Sequence, residues 1–71
     1  MNAYTAQEDA TDGQTKRNLG LICATDFEAV EMTAEEAFRT KAAFLLYRVP
    51  KARRGEARFV QRVTWRDLIP F

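Results

Sequence analysis

The segment from Glu56 to Arg66 alternates between two kinds of side chain, and it constrains the fold more than any other part of the chain. Its β-branched and aromatic residues favour a strand, although the i, i+4 spacing of three arginines also fits a helix. One parity holds Ala57, Phe59, Val63 and Trp65 with Gln61, and the other holds Arg58, Val60, Arg62, Thr64 and Arg66. We predict that the apolar parity faces a core and that the arginines share the other face.

A helix is predicted before this strand. Thr33 to Glu36 has the T-x-x-E pattern of a capping box. The predicted helix runs from Ala34 to about Tyr47, because Pro50 excludes helical angles at the residue before it. The segment from Pro50 to Gly55 is then a loop between two helix-breaking residues.

The N-terminal half is expected to supply two further strands behind a tail. Residues 19–24 are an apolar run and residues 27–32 alternate in part, with Thr25-Asp26 as a turn between them. Residues 1–18 show no apolar period, so we predict a disordered tail there and a single small domain over residues 19–71. The expected fold class is α+β, a three-stranded antiparallel sheet packed on one helix in the order β-β-α-β.

The charge of the chain is divided between its halves. Residues 1–36 carry eight acids against two bases, a net −6, and residues 37–71 carry nine bases against two acids, a net +7. Arginine binds carboxylates and phosphates through a planar fork. The predicted partner-binding residues are the bases of the loop and last strand, namely Arg53, Arg54, Arg58, Arg62 and Arg66. In the alternative, Glu28 and Glu31 of a neighbouring strand neutralise these arginines.

Composition argues against several classes of function. The 71 residues contain no histidine and one cysteine, which excludes imidazole acid/base catalysis, a His-ligated metal and an internal disulfide. Cys23 lies in an apolar run and is expected to be a buried small hydrophobe. We therefore predict no catalytic residues, no metal, no cofactor and no enzymatic activity. Since no apolar run matches a membrane span or a signal peptide, we expect a cytoplasmic protein.

The layout resembles a class of small phage proteins. A short chain with a tail, a β-β-α-β body and an arginine-rich last strand is similar to the phage-encoded proteins that bind bacterial RNA polymerase as inhibitors or antiterminators. The likeness covers residues 19–66 in element order only, and it carries no binding residue over. Other host-directed phage proteins, including anti-CRISPR proteins, have a comparable layout.

These patterns support three functional hypotheses. The first is a non-enzymatic interaction protein that binds and regulates a larger macromolecular machine, with RNA polymerase as the first candidate. The second is a small nucleic-acid-binding module using the same arginine face. The third is a subunit of an assembly that covers apolar residues at Phe44, Leu46 and 68–71. Trp65 is expected in the core, with an interface anchor beside Arg66 as the alternative. The partner, the oligomeric state and the direction of regulation stay open.

Overall fold

The protein is an α+β fold in which one helix covers one face of a four-stranded antiparallel sheet. A computed structural model describes residues 1–9, 17–50 and 56–68. The strands are β1 (Asn2–Glu8), β2 (Asn18–Cys23), β3 (Phe44–Val49) and β4 (Arg58–Val63), and the helix is α1 (Asp26–Thr40). A 3₁₀ turn, η1 (Trp65–Leu68), follows β4. In these ranges no helix is long and apolar enough to cross a membrane.

The fold class is confirmed, but the predicted number of strands is wrong. The sheet has the order β2-β1-β3-β4, with antiparallel pairing throughout. β2 and β3 run parallel to each other with β1 between them, and α1 makes the crossover. The predicted disordered tail is wrong for Asn2–Glu8, which is a central strand, while residues 10–16 lie outside the described ranges.

Strand β1 escapes prediction because its apolar side chains are few and mostly small. Tyr4 and Ala6 alternate with the polar residues Thr5 and Gln7. Tyr4 and Ala6 are buried, Ala6 completely. An alanine gives little signal in a hydrophobic pattern. The strand is stabilised by pairing on both edges, with β2 and with β3, so its conformation depends on contacts distant in sequence.

The helix occupies a different segment from the predicted one. Thr25 is its N-cap, and the Thr25 hydroxyl accepts a hydrogen bond from the Glu28 amide at 3.2 Å. It ends at Lys41, whose backbone is left-handed with φ 55° and whose amide donates to the Ala37 carbonyl. The predicted strand over residues 27–32 is therefore the first half of α1. The last turn of the predicted helix, in contrast, is the first part of β3.

The core lies between α1 and the sheet. The helix presents the small residues Ala29, Thr33, Ala34 and Ala37, which are buried and permit a close approach to the strands. The sheet contributes Tyr4, Ala6, Cys23, Phe44, Leu46 and Val63 to this core. Burial of these apolar side chains supplies the main favourable free energy of folding. Phe44 and Leu46 are fully buried here, so in the described chain they offer no surface to an assembly.

The other side of the sheet, which we call the open face, is not covered by any described element. The Cα atoms span only 14 Å in the thinnest direction, against 33 and 32 Å in the other two. This thickness matches one sheet and one helix. On the open face, Tyr47 and Phe59 are neighbours on β3 and β4, with ring centroids 5.5 Å apart in an edge-to-face arrangement.

Candidate functional site

Strand β4 does not carry its arginines on one face, contrary to the alternation in the sequence. Arg62 pairs with Leu45, and Arg58 pairs with Arg48. Because Leu45 and Arg48 point to opposite faces of the sheet, the two arginines do so as well. The register shifts between Leu46 and Tyr47, where β4 holds one extra residue, and such a bulge reverses the parity of a strand. Arg62 consequently lies on the open face and Arg58 on the helix-covered side, at its margin.

The remaining predicted arginines are placed apart from these two. Arg66 follows the strand in η1 and is exposed. Arg53 and Arg54 lie outside the described residues, so their assignment stays a prediction. Of the five predicted partner-binding residues, the structure brings Arg62 and Arg66 to one end of β4 and leaves Arg58 at the other end.

The alternative in which Glu28 and Glu31 pair with these arginines across a sheet is wrong. Both acids lie on the first turns of α1, where they are exposed, and not on a strand. Arg62 instead donates from Nε to Asp9 Oδ2 at 2.9 Å, and its side chain is still 57% exposed. An exposed pair of this kind contributes little to stability, so Arg62 can exchange Asp9 for an external anion at small cost.

Five side chains gather where the end of α1, the loop after it, the end of β4 and η1 meet. We call this set the Trp65 corner, and it consists of Phe38, Lys41, Arg62, Trp65 and Arg66. Two adjoining surface grooves of about 470 and about 380 Å³ share Lys41 and Trp65 as lining residues. The larger groove is lined by all three cations of the corner.

Local backbone geometry fixes the corner. The left-handed conformation of Lys41 ends the helix and turns the chain into Ala42 and Ala43, which line the larger groove. After β4, the Asp67 carboxylate accepts a hydrogen bond from the Thr64 amide at 2.8 Å, and the Asp67 amide donates to the Thr64 carbonyl at 3.0 Å. These bonds hold the turn that presents Trp65 and Arg66.

Trp65 is a surface residue, so its predicted place in the core is wrong. Its side chain is 43% exposed, and Phe38 on the neighbouring helix is 62% exposed. The Arg66 guanidinium carbon lies 5.6 Å from the centroid of the Trp65 ring, within the range of a cation–π contact. The alternative interpretation, Trp65 as an interface anchor beside Arg66, stays a prediction.

The side chains of the corner suit the binding of an anion beside an aromatic ring. Lys41, Arg62 and Arg66 supply three positive charges around Trp65. Guanidinium groups bind planar carboxylates or phosphates through two parallel hydrogen bonds, and an exposed indole ring stacks on other flat groups. Sequence reasoning misses Phe38 and Lys41, because the predicted helix places both of them well before its end.

Cys23 is buried, as predicted, and its thiol is free. Burial is the main reason why the pKa of Cys23 is raised, and the negative charge of Glu28 raises it further. A raised pKa lowers the fraction of the reactive thiolate near neutral pH. Within the described ranges, no group of His, Cys, Asp and Glu side chains could hold a metal ion.

Comparison with protein-family models, with curated proteins and with solved structures finds no match to this chain.

Proposed function

We propose that this chain is a non-enzymatic interaction protein that binds an acidic surface of a larger macromolecular machine through the Trp65 corner. The observation that carries the proposal is the exposed Trp65 ring, surrounded by the cations Lys41, Arg62 and Arg66. Tryptophan and arginine are the residue types that dominate binding energy at protein interfaces. In a chain this small, a rigid turn with such residues is a compact docking element.

The charge distribution supports an acidic partner. The exposed acids Asp26, Glu28, Glu31 and Glu35 lie on α1. The exposed bases Arg58, Arg62 and Arg66 lie along β4 and η1. A molecule with this polarity orients its basic side toward a negative surface during the encounter, and its association slows as salt screens the charges.

Transcription machinery is the machine we propose first, with bacterial RNA polymerase as the specific candidate and the cytoplasm as its location. This choice rests on the size and the charge layout of the chain. The β-β-α-β order that underlies the resemblance to phage proteins is not the order of the folded chain, which is β-β-α-β-β with a second strand after α1.

Nucleic acid is the second candidate ligand of the Trp65 corner. A flat indole beside three cations suits a single strand, since bases stack on aromatic rings while phosphates bind lysine and arginine. The face-on contact of Arg66 with Trp65 leaves part of the ring exposed to solvent. The two candidates differ in the anion that binds the corner. In the first it is a carboxylate on a protein surface, and in the second it is a phosphate whose neighbouring base stacks on Trp65.

A matched pair of charge-reversal variants tests the corner. Arg62→Glu/Arg66→Glu reverses two charges of the corner, and Arg17→Glu/Arg39→Glu reverses two charges elsewhere. Each double variant removes one exposed ion pair, Arg62 with Asp9 or Arg39 with Glu36. Binding to purified bacterial RNA polymerase, and to proteins captured from a nuclease-treated bacterial lysate, should weaken at least about tenfold for the first variant only. Equal binding by both variants would exclude the corner.

The single tryptophan separates the two candidates. Trp65 is the only tryptophan of the chain, so its fluorescence reports directly on the corner. A short single-stranded oligonucleotide that stacks on the ring should quench this fluorescence, with an affinity that falls steeply with salt. Quenching by the oligonucleotide would favour nucleic acid as the ligand of the corner and count against the first proposal. An unchanged signal at low salt, together with salt-sensitive binding of a protein, supports the first proposal.

A further inference from the structure

The open face of the sheet is built from three rows of side chains that cross the strands. Cross-strand pairing defines each row, because paired residues lie on the same side of a sheet. From β2 through β1 to β3, the first row is Ile22, Ala3 and Val49. The second row, from β2 to β4, is Gly20, Thr5, Tyr47 and Phe59. The third row is Asn18, Gln7, Leu45 and Arg62.

The first two rows of the open face are mostly apolar, and the face is most exposed on its edge strands. Ile22 is 69% exposed and Phe59 is 57% exposed. An apolar sheet face that no described element covers marks an interaction surface. Among the described residues, the only charged side chains on this face are those of Asp9 and Arg62, which pair with each other. Apart from this one pair at its end, the face offers a polyanion or a highly charged protein no charged side chain from the described residues.

We infer that a second copy of this chain docks on the open face, with a two-fold axis that runs along the strands between β1 and β3. This axis exchanges β2 with β4 and β1 with β3 across the interface. Because the axis is parallel to the strands, each row faces the same row of the partner copy. The interface is isologous, which is the commonest arrangement of homodimers.

The rows are complementary in size under this symmetry. In the second row, Tyr47 lies over Thr5 of the other copy and Phe59 lies over Gly20. In the first row, Val49 lies over Ala3. Large side chains therefore meet small ones at each of these positions. This interdigitation lets two sheets approach to their usual separation of about 10 Å.

The charges are compatible with the same symmetry. Arg62 lies over Asn18 of the other copy and not over the second Arg62, because these two residues are on opposite edge strands. No like charges meet, and the asparagine side chain can accept a hydrogen bond from the guanidinium. Trp65 and Arg66 follow β4 in η1 and lie outside the three rows, so the Trp65 corner and this interface use different side chains except for Arg62.

The size of the face places the dimer among small interfaces. Four strands about 4.8 Å apart and six residues of about 3.4 Å each give a footprint on the order of 400 Å² per copy. Two copies thus bury roughly 800 Å² or somewhat more, which lies in the range of weak and transient interfaces. We expect a dimer that dissociates on dilution.

Sedimentation of the full chain over a concentration series tests this dimer. Gly20 lies in a regular strand, and a Cβ added there meets no atom within 4 Å in the monomer. Gly20→Lys therefore leaves the monomer intact, while its side chain collides with Phe59 of the second copy. We expect at least a roughly tenfold weaker dimer for this variant. Phe27→Lys adds the same charge at an exposed position on α1 and should dimerise as the original chain does.

Cross-linking tests the orientation of the two copies. With Gly20→Cys and Phe59→Cys in one chain, a short bismaleimide should yield covalent dimers, because each new thiol faces the other type across the interface. Either single variant should stay monomeric on a denaturing gel. The axis places a residue of one edge strand and the same residue of the second copy on opposite edges of the interface, three strand spacings of about 4.8 Å apart. The native Cys23 is buried and does not compete. A monomer at all concentrations, or equal cross-linking of the single variants, would overturn the inference.

Discussion

The Tyr4 hydroxyl donates a hydrogen bond to the Asp26 carboxylate, which ties a central strand of the sheet to the first turn of the helix. Tyr4 is almost completely buried, and the two residues are 22 positions apart in sequence. Asp26 also lies where the helix dipole favours a negative charge. One contact therefore joins β1, the strand missing from the sequence-based prediction, to the helix whose start that prediction misplaces.

Replacing Tyr4 by phenylalanine should destabilise the protein and change its response to alkaline pH. Burial, and then the hydrogen bond to Asp26, raise the pKa of Tyr4. Because the folded-state pKa lies above the unfolded value of about 10, the stability that the neutral phenol contributes is present below about pH 10 and is lost as the pH rises through the folded-state pKa. Urea denaturation at several pH values should show this loss in the original chain and a shallower one in Tyr4→Phe.

Thr25→Ala should cost about 1 kcal/mol of stability, because it removes the side-chain oxygen that caps α1. Thr33→Val is the matched control. The Thr33 hydroxyl donates to the Ala29 carbonyl inside the helix, so its loss leaves no unpaired acceptor and should cost less. Circular dichroism during urea denaturation measures both variants. A larger loss for Thr33→Val would place the helix start at the second threonine and contradict the structure.

The chain contains the T-x-x-E pattern twice, and this explains the misplaced helix. Thr25 to Glu28 and Thr33 to Glu36 are both compatible with a capping box. The sequence favours the second because the apolar residues after it continue to Tyr47. A short apolar run such as Phe44 to Val49, however, fits a buried strand as well as a helix, and only tertiary pairing with β1 and β4 decides between them.

The site could be predicted only in part, for a related reason. Residues 58–63 form a strand, as the alternation indicates, and the basic character of this region is a property of composition. The bulge in β4 that separates Arg58 from Arg62 leaves no clear mark in the sequence, because the extra residue is an ordinary valine. The short turn that exposes Trp65 depends on the hydrogen bonds of Asp67, which no periodicity reveals.

Ala6→Asp should unfold most of the protein at room temperature. Ala6 has no exposed surface, and a buried carboxylate without a partner costs about 3 kcal/mol or more. That cost is a large part of the total stability expected for a domain of this size. Gln7→Glu places the same charge on the exposed neighbour and should have little effect. If residues 1–18 were a disordered tail, both variants would fold equally well, which circular dichroism and thermal melting would show.

Trp65 should behave as a surface residue in solution. Because the side chain is 43% exposed, its emission maximum should lie close to that of the unfolded chain, and iodide should quench it in the native state. Quenching by iodide should exceed quenching by caesium, since the cations Lys41, Arg62 and Arg66 attract the anion. Arg62→Glu/Arg66→Glu should reduce this preference, and Arg17→Glu/Arg39→Glu should retain it. A blue-shifted emission that neither ion quenches would return Trp65 to the core and remove the basis of the Trp65 corner.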